Sequence, residues 1–344
     1  MEIPSIFLNR ILSEAAKRSA SDLHLSVGSL PMFRINNQLI AAAGEEIITS
    51  EILDKIISSI VNQEEAIKLK DLREIILVKE FASGFRFRIN IFYQKNLPAL
   101  SFHYIQSDLR TLDDLAAPKI FHNFLKLDSG LIVIAGSHNS GKTAVAAAFI
   151  EEINRVSSKY IITIEDPIEY LFVNQKSIIE QRQVGRDVTS AAAGLDYCLG
   201  EDVDLVYLSE VKKNFFSVVP LILELAAGNC LVILEVNADS AIRALEKILG
   251  SMESKSSTEA IRYSLADALA GIVAQKLVPG RSRGLILAAE ILLVNSAVKS
   301  LIRENKIYQI PNAMQTFRQE GMISMDKALE ELVKSGEARR EDIS

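Results

Sequence analysis

The sequence predicts an α/β chain in two parts: a mixed α+β domain built on an antiparallel sheet, then a parallel-sheet domain with a helical C-terminal part. Three observations carry that reading. The 344 residues are too many for one ordinary core. Residues 85–94 alternate cleanly, with Phe85, Phe87, Ile89, Ile91 and Tyr93 on one face and Arg86, Arg88 and Asn90 on the other, as a half-buried strand requires. Beyond residue 119, near-continuous apolar strands alternate with helical segments, the pattern of a parallel sheet covered on both faces.

Taken in order, residues 5–19 place Ile6, Phe7, Ile11, Ala15 and Ala16 at helical spacing. Ser21–Val27 and Pro31–Asn36 read as short strands around a Gly-Ser turn, and residues 50–61 as a second helix carrying Ile52, Leu53, Ile56, Ile57 and Ile60. Strands follow at Glu74–Lys79, Phe85–Gln94 and Ala99–Ile105, the first two joined by an Ala82-Ser83-Gly84 turn. The polar, turn-rich stretch 107–118 is the expected linker, so the domains are expected at 1–106 and 119–344. In the second, strands are expected at Gly130–Gly136, Tyr160–Glu165, Asp204–Leu208 and Cys230–Val236, and from about residue 239 mainly helix with a strand pair near Gly284–Leu293.

Composition narrows the function classes. Apolar residues make up 49% and charged residues 24%, which marks a globular chain. Net charge is -6 and no run forms a basic stripe, so nucleic acid is not an expected partner. Two cysteines, Cys198 and Cys230, cannot build a four-cysteine zinc site, and both are expected as buried thiols. The N-terminus lacks a signal pattern, and the apolar stretches Val218–Val236 and Leu285–Val294 are interrupted or too short to span a membrane. A cytoplasmic protein is the expectation.

The motif that carries chemistry is Gly136-Ser137-His138-Asn139-Ser140-Gly141-Lys142-Thr143, a GxxxxGK[ST] loop between an apolar strand and the helical segment Ala144–Arg155. Glycines let backbone N–H groups converge on phosphate oxygens, and the helix N-terminus favours an anion. Lys142 is placed to reach the β- and γ-phosphates of ATP and Thr143 to ligate Mg2+.

A P-loop ATPase also needs a carboxylate at the magnesium and another to activate water. The segment Asp204–Glu210 offers both, Asp204 for the metal and Glu210 as base. The second cluster, Thr163–Glu169, offers Glu165 as a further metal ligand and Glu169 as a catalytic acid group.

In this order the motifs resemble the type II/IV secretion and type IV pilus motor ATPases. TIEDPIE at 163–169 resembles their Asp box and DLVYLSEV at 204–211 their Walker B segment. ASDLHLSVGSLPMFRINNQL, FRFRINIFYQ at 85–94 and EQRQVGRD at 180–187 extend the likeness. AVKSLIRE at 297–304 and QEGMISMDKALEELVKSG at 319–336 resemble the PilT-like retraction branch. The resemblance implies a PAS-like first domain and a RecA-like second, assembled as a homo-hexamer. It also implies nucleotide between the domains, an inner-membrane platform protein as partner, and peripheral attachment to the inner membrane through that partner. It implies arginines from the first domain near the phosphates, with Arg88 the candidate.

The chain departs from the family at its His box. Where the pattern resembles TGHLVxxTLHTNxA, residues 227–241 read AGNCLVILEVNADSA, with Asn229 and Val236 at the histidine positions. Asp196 and Gly200 stand at two arginine positions before Walker B, and Lys212-Lys213 replaces the Arg-Asp after it. Phosphoryl transfer depends on positive charge and donors around the phosphates. The expected function is therefore a retraction-type motor with weak ATP hydrolysis. The alternative is a hydrolysis-impaired, nucleotide-binding partner of a second, active pilus motor.

Overall fold

The computed structural model describes residues 4–36, 38–82, 84–105, 109–251, 255–281 and 284–343. Ser83 of the expected turn, and residues 106–108 where the linker was expected to begin, lie outside them. The chain divides into two compact units, residues 1–108 and 109–344.

The first unit is α+β, as its patterning predicts. Its helix α1 (Pro4–Lys17) buries Leu8, Ile11, Leu12 and Ala15, one stripe at helical spacing. The strands are β1 (Asp22–Ser26), β2 (Met32–Ile35), β3 (Gln38–Ala41), β4 (Glu74–Glu80), β5 (Arg86–Gln94) and β6 (Leu97–Ile105). Among the described residues they form one antiparallel sheet in the order β3-β2-β1-β6-β5-β4. The alternation in β5 buries Phe87, Ile89 and Ile91 as read. Between β3 and β4, α2 (Ser50–Ile60) is capped by Thr49 and packs Leu53, Ile56 and Ile57 into the same core.

Two elements were not read from the sequence. Helix α3 (Gln63–Leu72) buries only Leu69, so it has almost no apolar stripe. Its available signal was the reciprocal capping box of Asn62 and Glu65. The edge strand β3 is exposed at every position and shows no alternation of burial.

The second unit begins with the short helix α4 (Ile120–Phe124) and continues β7 (Gly130–Gly136), α5 (Lys142–Val156), β8 (Tyr160–Glu165) and β9 (Ile178–Gln183). Then come α6 (Ala191–Leu199), β10 (Leu205–Leu208), α7 (Phe215–Ala227), β11 (Leu231–Asn237), α8 (Ala241–Leu249) and α9 (Lys255–Ala268). The last elements are β12 (Leu269–Pro279), β13 (Leu285–Leu293), α10 (Ser296–Arg303), α11 (Ile310–Thr316) and α12 (Met325–Lys334). The sheet order is β13-β12-β7-β11-β10-β8-β9, parallel throughout except for the antiparallel pair β12–β13.

Numbered among themselves from β7, with the edge strand β9 left out, the five central strands lie fifth, first, fourth, third, second, which is the RecA-like arrangement that the resemblance implied. Both faces are covered. Ile132 and Ile134 of β7 pack with Val145, Ala146 and Phe149 of α5, whereas Leu131, Val133 and Ala135 pack with α7, α8 and α9. From about residue 239 mainly helix was expected with a strand pair near Gly284–Leu293; β13 lies there, but its partner β12 comes earlier, at Leu269–Pro279. Its apolar run follows α9 without a break, and periodicity alone cannot separate a buried strand from a buried helix. Val218–Val236 resolves into α7 and β11, and among the described residues no helix is long and apolar enough to cross a membrane. Cys198 and Cys230 are buried thiols, and burial pushes them up to about 11 and about 12.

Candidate functional site: the phosphate loop and its carboxylates

The site grows from the end of β7. The strand next in sequence, β8, lies three positions away, beyond β11 and β10, so β7 and its neighbours mark the switch point of the sheet. A crevice outside the carboxyl ends of such strands is where α/β sheets hold ligands. The loop leaves β7 through exposed Ser137, His138 and Asn139, with Asn139 at φ 60° and Gly141 at φ 85° opening α5. Gly136 is obligatory for closeness. A Cβ there would run into Ser140 Oγ and lie 2.7 Å from the backbone oxygen of Gln275. Gln275 of β12, which the sequence did not flag, pairs in register with Gly136 and donates from Nε2 to the Ser140 carbonyl at 2.8 Å.

Lys142 is buried at the helix start. Its Nζ donates to the carbonyls of Gly136 at 3.0 Å and Ser137 at 2.9 Å, and lies 3.8 Å from Glu210 Oε2. The ammonium is thus held inside the loop's own curl. Ser140 Oγ is buried at 3% exposure and has no hydrogen-bond partner among the described residues. Buried polar atoms rarely go unsatisfied, so this hydroxyl is suited to a ligand's oxygen. Donors of this kind around a glycine-walled cradle fit a polyphosphate with magnesium.

Carboxylates from three strands gather at this end of the sheet. Glu165 closes β8, is buried, and accepts from Thr163 Oγ1 at 2.6 Å and Gln181 Nε2 at 3.1 Å. Burial pushes its carboxyl up to about 7, against the lowering by those two hydrogen bonds and with a further rise from the charge on Glu169. Glu169 is itself buried, and its charge also bears on Tyr207 and Glu235. Glu210 stands two residues beyond β10. Glu235 of β11, missed in the sequence, is buried beside Thr143 and Tyr207. Burial pushes it up to about 7, although the Tyr207 hydrogen bond and the Lys142 charge pull it down. Its signal was a lone acid inside an apolar strand, which has to find a tertiary partner.

These raised values give a stability prediction for the nucleotide-free protein. An unfolded glutamate sheds its proton near 4.5 whereas folded Glu165 keeps it to about 7. The folded state binds more protons across that window, so this stability is present at low pH and is lost as pH rises, by at most about 3 kcal/mol. Glu165→Gln should therefore gain denaturant resistance relative to the wild type between pH 5 and pH 8. A difference that stays constant across those pH values would show that Glu165 titrates normally.

One sequence expectation needs correction, and the structure also places Asn229, Val236 and Arg88. Asp204 is not at the phosphate end. It precedes β10 and accepts from the Tyr160 amide at 2.8 Å and from Lys159 Nζ at 3.3 Å. The strands β8, β10, β11 and β7 run parallel, so Asp204 lies at the opposite edge from the loop that follows β7. It is a structural tether, not a magnesium ligand. Asn229 precedes β11 at that same far edge, which removes it as a phosphate donor within its own chain. Val236 is buried among Val232 and Leu234 on the face away from α5, so position 236 does not point at the loop helix. Arg88 sits on β5 in the first unit, half-buried, in register with Val78 and His103.

Comparison with known proteins places this geometry. The family model for type II/IV secretion system proteins matches residues 2–284. The chain belongs to that family. Within it, the chain is 31% identical to a twitching motility protein of Neisseria gonorrhoeae, over 89% of this chain and 81% of the relative. It is 28% identical to the type IV pilus retraction ATPase PilT of Pseudomonas aeruginosa, over 97% of this chain and 96% of the relative. Among solved structures, the pilus retraction motor PilT with bound ADP superposes with a TM-score of 0.82 at 31% identity, covering 97% of this chain and 94% of that one. The match to this structure spans both units.

Proposed function

We propose that this chain is an ATP-hydrolysing motor of a type IV pilus, of the retraction type, working as a ring-shaped homo-oligomer. The observation that carries the reading is the preformed loop at the end of β7. Lys142 is buried within it and Glu210 stands 3.8 Å from the ammonium. The likeness to a retraction motor crystallised with ADP supports the nucleotide, and the parallel likeness to a twitching motility protein supports the process.

Roles follow from position. Backbone amides of residues 136–143 and the start of α5 bind the phosphates, and Lys142 balances their charge. Thr143 and Glu165 are the groups available to magnesium, which when bound supplies charge neutralisation between phosphate oxygens. Glu210, outside the strand and partly exposed, is the base for the attacking water, and Glu169 adds a buried negative charge that orders the site. Arg88 is proposed to bring positive charge to the phosphates in the assembled ring, as a hexamer at a membrane platform protein.

A second reading has a specific observation behind it. The histidine positions carry Asn229 and Val236, one at the wrong edge of the sheet and one in the core, so neither replaces a donor in this chain. Slow turnover in partnership with a second motor is consistent with that. Steady-state phosphate release by the purified oligomer in magnesium separates the two. The expected result is measurable turnover below that of the Pseudomonas aeruginosa retraction motor assayed beside it. No turnover, with nucleotide still bound, would sink the motor reading and leave the partner one.

A further inference from the structure

With Asp204 at the far edge, Glu165 is the carboxylate assigned to magnesium from sequence that remains at the phosphate end. A second buried acid at that end, Glu235, carried no assignment from sequence. It pairs in register with Ile134, two residues before Gly136, and its side chain shares a face with Leu231 and Ile233, the face that α5 covers. There Oε2 lies 3.4 Å from Thr143 Oγ1, while Oε1 accepts the Tyr207 hydroxyl at 2.7 Å. Tyr207 comes from β10 and is itself 2% exposed.

A core role does not account for this pair. Glu235 is 3% exposed and lies between Leu234 and Val236, where an apolar residue would pack without desolvating a carboxylate. Among the described residues its hydrogen-bond donors are two neutral hydroxyls, and no close ion pair there repays the burial. In the same loop as Thr143, the Ser140 hydroxyl, without a hydrogen-bond partner among the described residues, independently points to a ligand.

We infer that Glu235 is a positioning residue for magnesium-bound nucleotide. It accepts the Thr143 hydroxyl hydrogen, which turns the oxygen lone pairs of Thr143 toward the cation. Tyr207 fixes the carboxylate in that orientation. Groups that orient a metal ligand through its far side commonly set metal affinity by 10- to 100-fold. The inference rests on the reading of residues 136–143 as a nucleotide site.

The test is ATP binding by isothermal titration to the full-length protein, in millimolar magnesium and in EDTA, at pH 8. In the wild type, magnesium should tighten ATP binding. Glu235→Leu should reduce that tightening by roughly tenfold or more while the affinity in EDTA stays within about threefold. Glu235→Gln, which keeps an acceptor oxygen, should restore part of it. Tyr207→Phe should show a smaller loss in the same direction and covers the case of a poorly folding Glu235 variant. An unchanged magnesium effect in both Glu235→Leu and Tyr207→Phe overturns the assignment. So does an equal loss with and without magnesium, which would mark a merely structural role. A wild-type protein that binds ATP under neither condition removes the nucleotide reading, and this assignment with it.

Discussion

Glu210→Gln is expected to lower steady-state ATP hydrolysis by about two to three orders of magnitude while ATP affinity changes only a few-fold. The argument is local. Glu210 follows β10 in a segment outside the sheet, and its side chain keeps 26% exposure, so an isosteric amide is tolerated without unfolding. What the amide lacks is a basic oxygen to take a proton from water. It also lacks the charge that faces Lys142 Nζ at 3.8 Å. Removing that charge relieves repulsion with a triphosphate, so binding should hold or tighten slightly. A coupled phosphate-release assay beside equilibrium binding of a fluorescent ATP analogue reads the two effects separately. If the rate survives, the base is not Glu210, and Glu169 becomes the group to test.

The parts of this fold that were legible in the sequence were those where local and tertiary demands coincide. Gly130–Gly136 and Tyr160–Glu165 read correctly to the residue because each is a buried apolar run ended by a glycine or an acid. The loop 136–143 was legible because glycine spacing and a lysine at a helix start have one common physical use. Strand β12 was lost in the apolar continuity with α9, and with it Gln275, whose contact with Ser140 depends on a pairing 135 residues apart in the chain.

Asp204 and Glu235 failed in opposite directions for one reason. A motif records which residues are present but not which end of a strand they occupy. The order and direction of β7, β11, β10 and β8 decide that, and they exchange the two acids, putting the motif residue far from the phosphate loop and the unremarked one beside it.

Lys142→Ala is expected to weaken ATP and ADP binding by about 2–5 kcal/mol, roughly 30-fold to several thousand-fold, and to remove hydrolysis with it. The size follows from burial. At 6% exposure the ammonium has little water to fall back on, and its charge is spent on the carbonyls of Gly136 and Ser137 until a phosphate arrives. Alanine removes the cation from a place where several carboxylates already gather, so the loop becomes less favourable for an incoming anion. It also takes the ammonium away from both carbonyls, of which Ser137 still accepts from the Ser140 amide at 3.3 Å, and this should cost the nucleotide-free protein about 1–3 kcal/mol of stability. Lys142→Gln separates these effects, since an amide N–H still satisfies a carbonyl but carries no charge. The stability loss should shrink in the glutamine variant while the affinity loss remains. Should Lys142→Gln bind ADP as the wild type does, the loop would be acting through its backbone amides alone, and the charge-balancing role of Lys142 would be lost.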